Sequence, residues 1–396
     1  MKRFTVIITA VLLLPGLVLA APNRPTVTVM TQNQYLGADL NPIIGAATPA
    51  EYNLAVLEAL FSIADNNIRE RVVPLAESIV EKKADLVGLQ EVFRFDCVES
   101  GTIPDACLLF SAAMNDHLEL TLNALDDLGA DYYVAAVVEN LVIPGGGFAL
   151  PGLPVFLNPE DDIPDVFIQV TDRDVILARS DVVTQPLAIP CAKPSADGCN
   201  YDVIASANTL AGIIDVERGF VGVDATVNGS DYRFINTHLE VQYPAPEQDA
   251  PLIQAAQASQ LIGTLSFLPL PPDSGLLVVG DINSSPMDPV FLSSLGLARP
   301  PYSQFTNGLS IFDDPISLPY HDTWDLRPGK PPGFTCCQAA NLSNDQSDLD
   351  ERIDVIFVLD APRRTKANTV NNDNDDKTPS GLWPSDHASV VARIYD

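Results

Sequence analysis

Several apolar runs in this sequence stop on residues that hold metal ions or move protons. "LVGLQE" delivers Glu91, "YRFINTH" delivers His238, and "LLVVGDIN" delivers Asp281 and Asn283. Asn33 closes "PTVTVMTQN". Asp386 and His387 stand just before the apolar run "ASVVARIY", and Asp354 lies inside "RIDVIFV". Carboxylate and amide oxygens are ligands for hard cations, and imidazole is the side chain that exchanges protons near neutral pH. Taken singly, each has a bland reading. Glu91 could be a solvated strand-end acid, His387 a surface histidine, and Arg218 one half of a structural salt bridge.

The elements that must bring these residues together can be read from periodicity. "PTVTVMTQN" (25–33) alternates like a strand. Residues 49–83 read as one or two amphipathic helices, with Pro74 as a break or a helix start. A buried strand is expected at 84–92, a helix stopped by Gly129 at 112–129, and strands at 131–140 and 173–180. Residues 219–240 read as a hairpin around "NGS". A helix at 251–268 precedes a core strand at 275–283, and strands at 351–359 and 388–395 close the pattern. Strand blocks with prominent hairpins and a few helices favour two packed sheets with helices outside. The stretches 141–165 and 368–387 read as long loops, the first apolar and rich in Gly and Pro, the second acidic.

The ends and the composition narrow the setting. Lys2 and Arg3, the apolar run Phe4 to Ala20 and its small-residue end have the layout of a secretory signal peptide, with cleavage expected after Ala20. Pro15 and Gly16 interrupt a run already short for a membrane anchor. The expected organisation is a signal peptide at 1–20 and one domain at 21–396, with loop insertions at about 141–165 and 368–384. A monomeric, secreted or periplasmic protein follows. The six cysteines fit that compartment. Local pairs are expected for Cys97 with Cys107 and for Cys191 with Cys199. For the adjacent Cys336 and Cys337 a pair competes with free thiols, because a bond between neighbours is strained. None has zinc-site spacing. A net charge of -30 repels polyanions and leaves no basic footprint, so stable nucleic-acid binding is not expected.

The segments "TQN" (31–33), "LQE" (89–91), "RG" (218–219), "NTHLE" (236–240), "GDIN" (280–283), "RID" (352–354) and "SDHASVV" (385–391) recur here in a specific order. Together they resemble the endonuclease/exonuclease/phosphatase superfamily, which includes deoxyribonucleases, abasic-site endonucleases, inositol-polyphosphate phosphatases and secreted sphingomyelinases. The resemblance implies a four-layer α/β sandwich of two packed mixed sheets flanked by helices. It implies Mg2+ or Mn2+ as cofactor, with Glu91 as principal ligand, Asn33 beside it, and Asp386 next to that metal or a second one. His387 would activate the attacking water and Asp354 would orient its ring. Asp281 would position the water or the leaving group, Asn283 would bond the phosphate, and Arg218 would clamp a phosphate oxygen. His238 would donate to a phosphate oxygen or serve as acid for the leaving group. Before the 173–180 strand, where some branches of the family place tyrosine or asparagine, this chain has Asp172 and Asp174. That departure argues against simple transfer from the nucleases.

The remaining candidates are bland. His321 and Asp322 in "YHDTWD" read as packing near the site, and His117 as structural. The run Asn371 to Asp376 is weighed as a structural Ca2+ site, but a solvated loop is preferred because the ligand spacing fails. An exported phosphodiesterase of lipid headgroups or small phosphodiesters is the favoured function. The 141–158 loop, with Leu150, Leu153, Val155, Phe156 and Leu157, is weighed as a transient membrane contact against folding over the core. A secreted nuclease, a phosphomonoesterase and a non-catalytic binding module are the alternatives.

Overall fold

The computed structural model describes residues 26–395 apart from 102, 146–147, 159–162, 243–249, 294–295, 312–313 and 330. The signal-peptide reading of 1–20 lies outside the described residues.

The first sheet begins with β1 (Val27–Asn33), β2 (Leu86–Gln90), β3 (Arg94–Glu99), β4 (Tyr132–Ile143), β5 (Leu153–Val155) and β6 (Val166–Arg179). β7 (Val183–Pro186), β8 (Pro194–Ser195) and β9 (Gly198–Asn200) open the second sheet. β10 (Ala205–Thr209) and β11 (Gly212–Val216) form a separate hairpin. The second sheet continues with β12 (Gly219–Val227), β13 (Ser230–His238) and β14 (Gly275–Asp281). Two small hairpins follow, β15 (Phe291–Ser293) with β16 (Gly296–Ala298) and β17 (Ser310–Ile311) with β18 (Asp314–Pro315). β19 (His321–Asp322) and β20 (Asp354–Val358) complete the second sheet, while β21 (Arg364–Val370) and β22 (Ser389–Tyr395) return to the first. The helices are α1 (Asn41–Ile44), α2 (Pro49–Asp65), α3 (Ile68–Lys82), α4 (His117–Asp127), α5 (Ala250–Phe267) and α6 (Pro301–Asn307).

Period-2 alternation sorts each strand's side chains into layers. Val29, Leu86 and Ile176 of the first sheet meet Val223, Phe234, Leu277 and Val279 of the second in a core between the sheets. The alternate residues Met30, Val87 and Leu177 face outward and pack against Ile68, Val72 and Ile79 of α3 and Leu125 of α4. On the far side, Phe220, Ile235, Val278 and Phe357 pack against Leu261 and Ile262 of α5 and Tyr302 and Phe305 of α6. The result is the expected four-layer α/β sandwich. β1 and β2 run parallel, which requires a crossover, and α2 and α3 supply it.

A polar clasp joins the two sheets. The Asn236 amide on β13 donates to the carbonyls of Leu89 at 2.9 Å and Val175 at 3.0 Å, and its oxygen accepts from Gln90 Nε2 at 2.6 Å. This approach needs Gly88, because a Cβ there would lie 2.6 Å from Val279 Cγ2 and 2.7 Å from Asn236 Oδ1.

Several expectations are revised. Pro74 sits within α3, and the break falls instead at Asn67, whose left-handed φ of 32° turns the chain between α2 and α3. Asp354 opens β20 rather than lying inside it. The stretch 141–165 is not one loop, since β4 runs into it and β5 lies within it. Its Leu153 and Val155 are buried in a core cluster with α2, so they fold over the core rather than offering a free surface to a membrane. β21 occupies the start of 368–384, and Trp383 is fully buried. In the acidic run, Asp373 and Asp376 cap their own short 3-10 turn, the solvated-loop arrangement. All three local cysteine pairs are bonded, Cys336 to Cys337 included. β3, the β10–β11 hairpin and β21 had no counterpart in the sequence reading.

Buried Arg71 of α3 fastens the chain around the strand ends. It donates to the carbonyls of Asn66 (2.6 Å), Gln34 (2.8 Å), Pro384 (2.8 Å) and Tyr35 (3.1 Å). Arg71→Met would strand these buried acceptors at roughly 1–3 kcal/mol each in the worst case. Urea unfolding should show a loss of about 3 kcal/mol or more. A loss under about 1 kcal/mol would mean that Arg71 does not fasten these segments.

Candidate active site

Register carries the site residues to one edge. In the second sheet His238 lies opposite Asp281, and Asp281 lies opposite Asp354, across three adjacent strands. In the first sheet Asn33 ends β1 opposite Gln90, and Glu91 follows. β22 runs antiparallel to β1, so His387, two residues before it, falls at the same edge. Three residues at these strand ends take left-handed backbone: Tyr35 (φ 59°), Glu91 (φ 54°) and Asn283 (φ 48°). Such a conformation costs a non-glycine residue on the order of 1–2 kcal/mol. It turns the chain sharply out of the strand at the point where the functional side chains project.

Asp281 is the hub. Its Oδ2 accepts from Asn33 Nδ2 at 3.2 Å and lies 3.7 Å from His387 Nε2 and 3.5 Å from His238 Nε2. Asn33 Nδ2 also donates to Glu91 Oε1 at 3.2 Å, so Glu91 and His387 share one site. The Tyr35 backbone N–H, which can only donate, lies 2.9 Å from Asn33 Oδ1 and fixes the amide's orientation. Asn33 therefore bridges Glu91 to Asp281, with one oxygen lone pair left over. Glu91 Oε2 accepts from Leu36 N at 2.9 Å.

His387 Nδ1 meets Asp354 Oδ2 at 2.8 Å, both side chains buried. Thr335 Oγ1 accepts from the backbone N–H groups of Ile353 and Asp354, each at 3.1 Å, which fixes the carboxylate's base. Ser385 Oγ donates to the Asn33 carbonyl at 2.8 Å and accepts from His387 N at 3.2 Å, tying the two chain ends. Burial disfavours the charged His387 ring. The carboxylates of Asp354, Asp386 and Asp281 outweigh it and hold the ring well above the ordinary imidazole value.

His238 is held the other way. Burial first, then the Arg218 guanidinium and His387, press it well below the ordinary value. Arg218 can only donate, and its Nη1 lies 3.0 Å from His238 Nδ1. The ring is neutral, and its other nitrogen, Nε2, lies 3.0 Å from Asn283 Nδ2, so amide and guanidinium donors flank both ring nitrogens. Arg218 itself lies 3.6 Å from Asp172 and 3.9 Å from Glu240. The salt-bridge reading of Arg218 thus has geometric support, and its Nε is buried without a hydrogen-bond partner. Asp172 and Asp174 are buried in β6. Burial pushes Asp172 up to about 6.

The donor set fits a hard divalent cation. Burial, with repulsion from Asp354, pushes Asp281 up to about 7, and burial, with repulsion from Glu91, pushes Asp386 up to about 6. Asp354 Oδ1 is buried without a hydrogen-bond partner. Oxygen ligands from Asp281 and Asp354 lie within 4.8 Å of one another and of a His387 nitrogen. Positive charge placed among these carboxylates would relieve their repulsion. The sequence reading missed Glu240, Tyr35 and Thr335. Each acts through a contact with a residue distant in sequence, to Arg218, Ala340 and Asp354 respectively, and Glu240 stands within "NTHLE" without a role being read from it.

No family model and no curated protein matches the chain. Among solved structures, it is similar to an endonuclease/exonuclease/phosphatase family protein from Leptotrichia buccalis (14% identity, TM-score 0.46, covering 93% of this chain and 100% of that one). It is similar to truncated TDP2 from Caenorhabditis elegans (13% identity, TM-score 0.46, covering 93% and 97%). It is also similar to a mannosyl-6-phosphatase from Bacteroides thetaiotaomicron (14% identity, TM-score 0.46, covering 93% and 100%). The chemistry of the site rests on its own geometry.

His117 lies apart in function. It begins α4, is fully buried, and packs against Phe93 and Phe95 with ring centroids 6.3 and 6.2 Å away. Burial, reinforced by Arg71, pushes it down to about 3. The unfolded state therefore binds a proton that the folded state refuses, and stability falls as pH drops from about 6.5 toward 3. Between pH 7.5 and 5 this one group should remove about 2 kcal/mol. Urea unfolding of His117→Phe should show a pH dependence shallower by that amount, and an unchanged slope would contradict it.

Proposed function

We propose that the protein is an exported, divalent-metal-dependent phosphoester hydrolase, most simply a phosphodiesterase of lipid headgroups or other small phosphodiesters. The observation that carries this is the joining of Glu91, Asn33, Asp281 and the His387–Asp354 pair at one edge of two sheets. Glu91 and Asp386 would hold Mg2+ or Mn2+, and Asn33 links Glu91 to Asp281 beside them. Such an ion supplies Lewis-acid polarisation of a phosphoryl oxygen.

The rest is done by side chains. Asp354 holds the Nδ1 proton of His387 and thereby aims Nε2 toward Asp281 and the substrate side. Once positive charge offsets the carboxylates that hold His387 protonated, the neutral ring would take a proton from water at Nε2, and Asp354 would stabilise the imidazolium that results. Asp281 accepts from the water or from the leaving-group oxygen and fixes its direction. His238, kept neutral by burial and Arg218, would donate its one ring proton to a phosphate oxygen. Asn283 is positioned for a second donation, with its amide also on the Leu239 carbonyl at 2.9 Å. Arg218 orients His238 and balances Asp172 and Glu240, and its free Nε–H can reach an anion.

Export is supported by the N-terminal layout of residues 1–20 and by the local disulfides. The net charge of -30 supports a small or lipid phosphodiester over a polyanion.

Hydrolysis of bis(p-nitrophenyl) phosphate should require added Mg2+ or Mn2+. Glu91→Ala and His387→Ala should each abolish it without unfolding the protein. Asp354→Asn should cost about a thousandfold or more in kcat, as loss of an orienting carboxylate does elsewhere. Wild-type rates in Glu91→Ala or His387→Ala would remove the assignment. Phosphocholine release from sphingomyelin vesicles should exceed plasmid nicking, and strong nicking alone would shift the substrate to nucleic acid.

A further inference from the structure

Beside the site lies a cavity of about 160 Å³ whose walls are almost wholly apolar. Leu60 and Ile63 of α2 form one side, with Ile43 and Ile44 of α1. Phe95, Ile143 and Ile168 of the first sheet form its floor. Ala207, Ile214 and Val216 of the β10–β11 hairpin line it from a third direction. Among the described residues, three charged side chains line it: Glu91, Asp172 and Arg218.

That composition has a direction. Glu91 belongs to the candidate metal site, and Arg218 reaches His238 at 3.0 Å. The cavity thus shares Glu91 and Arg218 with the candidate site. Its remaining walls offer nothing to a polar ligand. Protein interiors are close-packed, and a void of this size is costly to leave among aliphatic side chains. Cavities of about 150 Å³ with such linings take apolar guests the size of benzene. The hairpin is built for the purpose: β11 alternates, with Ile213 and Asp215 exposed and Ile214 and Val216 turned to the cavity.

We propose that this cavity is a subsite for an aliphatic chain of the substrate, so that the enzyme acts on phosphoesters carrying an alkyl or acyl group of about six carbons near the phosphate. The proposal rests on the hydrolase reading above, and it narrows the substrate class. The phosphate lies toward Glu91 and Arg218, and the chain lies between α2 and the β10–β11 hairpin.

Methyl, propyl and hexyl p-nitrophenyl phosphates test it, with Mn2+ present. Each buried methylene is worth up to about fourfold, so kcat/KM should rise at least tenfold from methyl to hexyl. A flat series overturns the subsite. A benzyl ester that outperforms the hexyl ester overturns its aliphatic character. Filling the cavity from two sides, with Ala59→Leu on α2 or Ala207→Phe on β10, should pull the hexyl-to-methyl ratio toward one. A full ratio in both folded variants also overturns it. Calorimetric titration of the wild-type protein with hexylphosphonate and methylphosphonate reads the cavity without turnover. Hexylphosphonate should bind at least tenfold more tightly, and equal affinities overturn the subsite. If no ester is hydrolysed with any metal while hexylphosphonate still binds better, the subsite stands and the hydrolase reading falls.

Discussion

Buried negative charge is the constraint around which this molecule is built. Asp281 and Asp354 are carried into a region with little water, Asp386 stands half-buried beside His387, and Glu91 reaches the same region through Asn33. One imidazole, His387, stands among them. Carboxylates held this close repel one another, and burial adds to the cost, which is why Asp281 and Asp386 are pushed up toward neutral pH. A fold tolerates such a cluster only if the rest of the structure holds it rigidly and something positive offsets it. The first requirement is visible in every strand that reaches the site, and the second is what a divalent cation supplies.

Rigidity comes from layers and from a few polar fasteners. The two sheets are close because Gly88 lets them approach, and Asn236 spends both ends of its amide joining them. Arg71 binds the carbonyls of Gln34 and Tyr35, just after Asn33, to the carbonyl of Pro384, just ahead of Asp386 and His387. Thr335 and Ser385 finish the work by fixing the backbone under Asp354 and His387. None of these side chains touches substrate in the proposed reaction, and each sets the position of one that does.

The two histidines show how environment divides labour. His387 faces carboxylates and prefers its proton, while His238 faces a guanidinium and is kept neutral. Opposite preferences in two rings that both approach Asp281 give one group suited to accept a proton and one suited to donate a hydrogen bond. Arg218 makes that division and also marks the boundary with the apolar cavity. Asp172, beside it, makes an internal ion pair with Arg218 at the cavity's edge rather than a solvent-facing contact.

The sequence by itself determined which residue types stand at the ends of the apolar runs, and in what order. Asn33, Glu91, His238, Asp281, Asn283, Asp354, Asp386 and His387 were all legible this way, because strand ends and turn residues are local properties of a chain. The alternation that assigns Val29 and Met30 to opposite faces was legible for the same reason, and with it the layered sandwich. Tertiary structure alone decided the rest. Pro74 is accommodated within α3 and the break falls at Asn67, because packing against the sheet outweighs local preference. The apolar 141–158 stretch covers the core because α2 offers it a partner, which hydropathy cannot show. Sheet register placed His238, Asp281 and Asp354 side by side, and the β10–β11 hairpin closed a cavity against α2. These depend on contacts between residues far apart in the chain, and such contacts leave no periodic trace in either partner.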